Sequence, residues 1–374
     1  MTEVSIYIMK NNTYAFVGFG LIAGSIARSI RENHPNAEII AFNRSLPSLE
    51  LAAKEGVLNE YYQSLDETSL AKIGQCEFIF LCAPVEANNR NLEALAPFVS
   101  QGSILTDVGS VKNSIHAKIR ELGLQNQFIG GHPMAGSEKT GFANSNSKIL
   151  ENAYYILAPE PGVNIERVNA LRSLTLEAHA IPLIIKPELH DYITGAISHL
   201  PHVIAASLVN FVHQKDDDGF MKLIAAGGFK DITRIASSSP DMWKSICSSN
   251  KDNILQLLTD YITYLEQIKD TIHCEEFDQI YSFFDSAKNY RDSFTNVGSG
   301  PIKKTFVFSV DVDDKAGAIA ELATVLAKEN INIKNIGINH NREIQQGALA
   351  IEFYDEASML LAKHILKEND YCIY

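Results

Sequence analysis

From Thr13 onward, short apolar runs alternate with longer stretches of helical spacing. Thr13–Val17, Glu38–Phe42, Glu77–Cys82, Ser103–Thr106 and the run at Phe128-Ile129 are bounded by Gly, Pro and polar turns and read as buried strands. Ser25–Arg31, Glu86–Phe98 and a run ending near Leu122 carry helical spacing between them. Ala153–Ala158 and Ile181–Ile185 read as the last strands, with a helix from Ile165 to about Glu177 between. Strands alternating with helices predict a parallel, doubly wound α/β sheet. Beyond Lys186-Pro187 the period changes. Glu188–Val212, Gly219–Ala236, Pro240–Thr271 and Glu275–Phe294 are helical throughout, and helices this apolar are expected to pack on each other and on a second subunit. After N-V-G-S-G-P the strand period returns at Thr305–Val310, followed by a turn at Asp313–Gly317 and a helix at Ala318–Glu329. Strands near Asn332–Ile338 and Ala348–Tyr354, a helix at Glu356–Lys367 and a short strand at Tyr371 complete a βαββαβ module. The division expected is 1–186, 187–295, a linker at 296–302, and 303–374.

The first strand runs into Gly18-x-Gly20-x-x-Ala23, with Gly24 next and a helix behind it. In a strand–turn–helix–strand context this is a dinucleotide fingerprint of Rossmann type. One glycine permits the turn, the next lets backbone approach a pyrophosphate, and a small third residue lets helix and strand pack. Candidate cofactor contacts are Gly18, Gly20, Leu21, Ile22, Ala23, Ala83, Pro84, Asp107, and Asn43, Arg44 and Ser45 at the end of the second strand. An acid would stand there in the NAD template. Asn43-Arg44 suits a 2′-phosphate, yet Asn can still bond a ribose diol, so the residues leave NAD and NADP both open.

Net charge is −13, from 32 basic and 45 acidic residues, without a Lys/Arg run, which argues against nucleic acid or an anionic membrane as partner. The five scattered cysteines lack metal-ligand spacing and read as reduced thiols. The first residues lack the features of a signal peptide and no window reaches membrane-helix length, so a cytoplasmic protein is expected.

Chemistry concentrates in three places. Q-F-I-G-G-H-P-M-A-G-S-E-K-T-G sets His132 at the carboxyl end of a strand, where open α/β sheets place ligands, with Ser137 and Glu138 beyond it; a lone histidine there could equally be a packed ring. Ser110 closes D-V-G-S on the same rim. H-D-Y-I-T-G-A-I-S-H-L-P-H supplies His190, Asp191, His199 and His202, whose spacing allows zinc, although no metalloprotease pattern accompanies them and no metal is expected. G-G-F-K-D-I-T-R supplies Lys230 and Arg234, four apart, a cationic pair suited to a carboxylate or, with Asp231, a solvated helix face. Trp243 follows.

Taken together, G-F-G-L-I-A-G-S, D-V-G-S-V-K, G-G-H-P-M-A-G-S-E-K-T-G, the His190-Asp191 and H-L-P-H pair, A-G-G-F-K-D-I-T-R-I-A and P-D-M-W-K-S-I with Asn250 resemble the prephenate dehydrogenase family over Gly18 to about Phe294. The resemblance implies oxidative decarboxylation of prephenate with hydride transfer to NAD(P)+, in tyrosine biosynthesis, with NAD favoured. It makes His132 the base for the ring hydroxyl, Ser110 its helper and Arg234 the carboxylate clamp. Lys230, Ser137, Glu138, His190, His199, His202 and Trp243 match pocket positions, and the helical domain makes the homodimer. The tail resembles an ACT domain, for which L-tyrosine is the expected effector. Arogenate dehydrogenase and a non-catalytic dinucleotide or amino-acid sensor are the alternatives.

Overall fold

The computed structural model describes residues 12–136, 139–294, 306–313, 315–341 and 346–373. The chain divides into two compact units, one up to Asp270 and one from Thr271. In the first, eight strands form one sheet: β1 (Thr13–Val17), β2 (Glu38–Phe42), β3 (Glu60–Tyr62), β4 (Phe78–Leu81), β5 (Ile104–Asp107), β6 (Phe128–Pro133), β7 (Tyr154–Pro159) and β8 (Ile181–Ile184), in the order β3-β2-β1-β4-β5-β6-β7-β8. The order reverses between β1 and β4, the switch point at which such sheets leave a crevice. Around the sheet lie α1 (Leu21–Asn33), α2 (Leu46–Lys54), α3 (Glu67–Gly74), α4 (Val85–Leu95), α5 (Asn113–Glu121) and α6 (Ile165–Glu177).

β4 is apolar at every position, and β1 at every position after Thr13, because both faces are covered, and Phe16 stacks on Phe80 at 4.9 Å between ring centroids. The strand–helix pattern did not anticipate α2, β3 or α3, which are short and border solvent. One correction concerns direction. β6 and β7 pair antiparallel, His132 opposite Ile156, because the described residues between them hold two 3-10 turns and no crossover helix.

The helical part of this unit contains α7 (Pro187–Thr194), a π turn at Gly195–His199, α8 (Leu200–Lys215), α9 (Phe220–Ile224), α10 (Gly227–Thr233), α11 (Pro240–Ser249) and all but the last residues of α12 (Lys251–His273). Two expected helices are thus broken: 219–236 into α9, α10 and a 3-10 turn beginning at Arg234, and 240–271 at Asn250. The expectation about apolar windows is corrected too. Among the described residues the run Pro187–Lys215 is long and apolar enough by composition to cross a membrane, and only 17% of its most apolar window is buried.

The second unit carries α13 (Phe277–Ser293) and an antiparallel sheet ordered β10-β11-β9, built from β9 (Phe306–Asp313), β10 (Ile333–Asn341) and β11 (Gln346–Phe353), with α14 (Ala318–Lys328) and α15 (Glu356–Glu368). Phe308, Val310, Leu322, Leu326, Ile351 and Phe353 form its core. The strand expected at Tyr371 reduces to a single bridge, Val310 to Ile373.

Candidate active site

The end of β1 turns at Gly18, whose φ of +94° suits glycine, and a Cβ there would lie 2.6 Å from the Ala83 nitrogen. The turn therefore packs directly on the Ala83-Pro84 segment after β4. A cavity of about 460 Å³ opens at this point, lined by Gly18, Gly20, Asn43, Arg44, Ser45, Ala83 and Pro84. It also takes in Ser48, Arg90, Asn91 and Gly141, which the sequence had not flagged. The first turn of α1 has neither an acidic residue nor a side-chain cap, and a Cβ on Gly20 would meet nothing within 4 Å. Open space above uncapped N–H groups fits the pyrophosphate of a dinucleotide. Of the other candidates, Leu21 and Ile22 begin α1, and Ala23 is buried in the core as helix–strand packing requires.

Asp107 departs from expectation. It is 2% exposed and pairs with the fully buried Lys112, while its other oxygen accepts from the Gly131 nitrogen at 3.0 Å. Lys112 Nζ also donates to the Gly131 carbonyl at 2.6 Å. Asp107 is thus a brace under β6, not a wall of the cofactor cavity. A Cβ on Gly131 would fall 2.3 Å from the Asp107 carbonyl, which explains the glycine immediately before His132.

His132 is half-buried, and its Nδ1 lies 2.8 Å from His190 Nε2. His190 is fully buried behind it, with Nδ1 2.7 Å from Asp191 Oδ1. The Asp191 carboxylate also accepts from the Lys112 nitrogen at 2.7 Å and the Asn113 nitrogen at 2.8 Å, capping α5. With two backbone N–H groups donating to it, the Asp191 carboxylate serves as acceptor. His190 Nδ1 therefore donates, which leaves its Nε2 as the acceptor, and His132 donates from Nδ1. That leaves His132 Nε2 as a lone pair, without a hydrogen-bond partner among the described residues. Burial, then the neighbouring His190, Lys112 and His199, push the His132 pKa well below the ordinary histidine value. A neutral, oriented base results. Ser110 stands half-exposed after β5, its hydroxyl unbonded among the described residues; the group in contact with His132 is His190.

Asn250, at the junction of α11 and α12, donates to the Asp191 carbonyl at 2.8 Å and to His199 Nδ1 at 3.0 Å. Burial lowers the His199 pKa to about 4, so its free Nε2 carries hydrogen. The π turn sets His199 edge-on to Trp243 at 6.0 Å and lets His202 stack on the same indole at 4.0 Å. Gly195 opens that turn, and a Cβ there would lie 2.8 Å from Leu257. Lys230 and Arg234 are both exposed, but α10 ends at Thr233, so they do not share one regular helical face. Ser137 and Glu138 lie outside the described residues. Lys112 and Asn250 carry weight that sequence reasoning did not assign; both stand inside the quoted motifs.

Comparison with known proteins follows the same division. The family description "Prephenate dehydrogenase, nucleotide-binding domain" matches residues 26–181, and "Prephenate dehydrogenase, dimerization domain" matches 186–286. The chain is 38% identical over 348 residues to a prephenate dehydrogenase of Bacillus subtilis, covering 92% of this chain and 93% of that one. It is 32% identical to one from Lactococcus lactis, covering 96% and 98%. Among solved structures, prephenate dehydrogenase from A. aeolicus in complex with hydroxyphenyl propionate and NAD+ superposes with a TM-score of 0.71 at 28% identity, covering 76% of this chain and 99% of that one. Synechocystis arogenate dehydrogenase gives 0.68 at 28%, covering 75% and 99%.

Proposed function

The chain belongs to the prephenate dehydrogenase family, and from that premise we propose that it oxidatively decarboxylates prephenate to 4-hydroxyphenylpyruvate in tyrosine biosynthesis, using a nicotinamide dinucleotide. The observation that carries this reading is the Asp191–His190–His132 chain, which leaves one histidine nitrogen unprotonated at the carboxyl edge of the sheet. The dinucleotide, when bound, accepts the hydride. His132 Nε2 takes the proton of the ring hydroxyl as hydride leaves the carbon bearing it. Ring carboxylate then departs as CO2, and the pair from the broken C–C bond moves through the ring to the oxygen. That oxygen recovers the proton from His132, so the base borrows a proton and returns it. A positioned base of this kind is worth roughly 10²–10⁴-fold.

Arg234 clamps a substrate carboxylate, an interaction worth about 1.5–3 kcal/mol. Ser110 bonds the reacting hydroxyl. Lys230, His199, His202 and Trp243 line the pocket, and Ser137 and Glu138 join them by family resemblance. The helical domain, 187–295, holds two copies together in a cytoplasmic homodimer. Its exposed Ile197, Phe211, Leu223, Ile224 and Ile232 support this assignment of the apolar surface. The tail, 303–374, is an ACT-type regulatory module that takes L-tyrosine. A cavity of about 260 Å³ beside β9, lined by Asp311, Lys315, Glu321 and Tyr371 among others, has room for an amino-acid head group.

The test is steady-state turnover with prephenate and with arogenate, read at the reduced nicotinamide band. Turnover of prephenate that disappears in His132→Asn, with dinucleotide still bound, is the expected result. Turnover of arogenate alone would keep the mechanism and change the substrate. A folded protein inert toward both would overturn the reading. L-tyrosine should lower activity and raise the melting temperature; no change in either would remove it as effector.

A further inference from the structure

Resting on the dinucleotide reading above, we infer that the far end of the cofactor cavity is a 2′-phosphate subsite built on Arg44, Ser45 and Ser48, so that NADP+ is the preferred dinucleotide. Asn43 stands where an NAD-binding unit presents a carboxylate to both ribose hydroxyls. Its amide is already engaged: Oδ1 accepts from the Phe19 nitrogen at 3.4 Å, and Nδ2 donates to the Ser45 carbonyl at 3.1 Å. The side chain braces the glycine turn against the end of β2, and it carries no charge to repel a phosphate.

Arg44 follows it on the cavity wall. Its carbonyl is held by Gln63 Nε2 at 3.2 Å, while its side chain is exposed and makes no ion pair among the described residues. Ser45 is the N-cap residue of α2 but makes no side-chain cap, and Ser48 lies in the first turn of that helix. Both hydroxyls therefore remain available to an oxygen-rich ligand. A second guanidinium, that of Arg90, lines the same cavity. In a chain with 45 acidic and 32 basic residues, this wall holds, among the described residues, two arginines and no carboxylate. A diol gains nothing from that charge, whereas a phosphate dianion does, through charge-assisted bonds that a planar guanidinium makes in pairs.

The measurement is isothermal titration of the purified full-length protein with NADP+, NAD+, 2′,5′-ADP and 5′-AMP, with kcat/KM for both dinucleotides alongside. NADP+ is expected to bind about 10–100-fold tighter than NAD+, and 2′,5′-ADP to exceed 5′-AMP by a similar factor. Arg44→Ala should remove most of both ratios, and Ser48→Ala part of them. NAD+ binding as tight as NADP+ would overturn the subsite and leave the enzyme reading intact. Equal weakening of both dinucleotides by Arg44→Ala would also overturn it, assigning the guanidinium to the shared adenine. Binding of neither dinucleotide would overturn the dinucleotide reading itself, and the subsite with it.

Discussion

The sheet and the helical part of the first unit solve the problem of burial differently. Phe16, Ile39, Phe78 and Phe80 are at most 1% exposed, and the sheet closes its core within one chain. In the helical part the buried residues include polar ones, His190, Asp191, His199 and Asn250, while Ile197, Phe211, Leu223 and Ile224 are 59–75% exposed. One region buries its oil and stabilises itself. The other buries its chemistry and leaves its oil at the surface. A buried polar network costs free energy unless every member is bonded, and here each of the four has a partner.

The largest effect that would break this contrast is on the polar junction. Asp191→Asn should cut kcat by about 10²–10⁴, with KM changed far less, because the amide no longer forces the His190 and His132 tautomers. Retained kcat would show that the relay does not set the base. Next is the sheet core. Phe80→Ala should cost about 3–5 kcal/mol in chemical denaturation, and the loss should not depend on protein concentration. Phe211→Asp on the helical surface should do the reverse, leaving the protomer folded while sedimentation equilibrium shows monomer; an unchanged dimer would place the interface elsewhere.

The smallest effect is on the pH dependence of stability. Burial holds the His199 pKa at about 4, against 6.5 for an ordinary histidine, and the His132 pKa is lowered in the same direction. The unfolded chain then binds more protons across that interval. Stability is full above pH 6.5, is lost as pH falls toward 4, and stops falling from this source below it. The melting temperature of His199→Gln should therefore decline less steeply between those limits than that of the parent; parallel curves would show that other groups dominate.

Much of the fold was legible because strand period, turn glycines and helix spacing are local signals. β1, β2 and the helix behind Gly20 stand within a few residues of where the pattern sets them. What escaped was weak locally. α2 and α3 are nine and eight residues long, and the break at Asn250 interrupts an otherwise continuous helical period. The site was legible as residue types more than as contacts. Asp107 looked like a rim residue because it ends a strand, and only its bond to Lys112 turns it inward. His190 looked like a pocket wall, and only packing places it behind His132.

By itself the sequence determined that His132 stands at the carboxyl end of a strand and that a glycine turn faces a helix N-terminus, since both follow from neighbours along the chain. Which nitrogen of His132 carries the proton was decided by tertiary structure alone. His132 meets His190 across 58 residues, Lys112 meets Asp191 across 79, and Asn250 meets Asp191 across 59. Those bonds form only when β6, α5, α7 and the junction of α11 with α12 pack together, and a proton's position depends on where its acceptor is held.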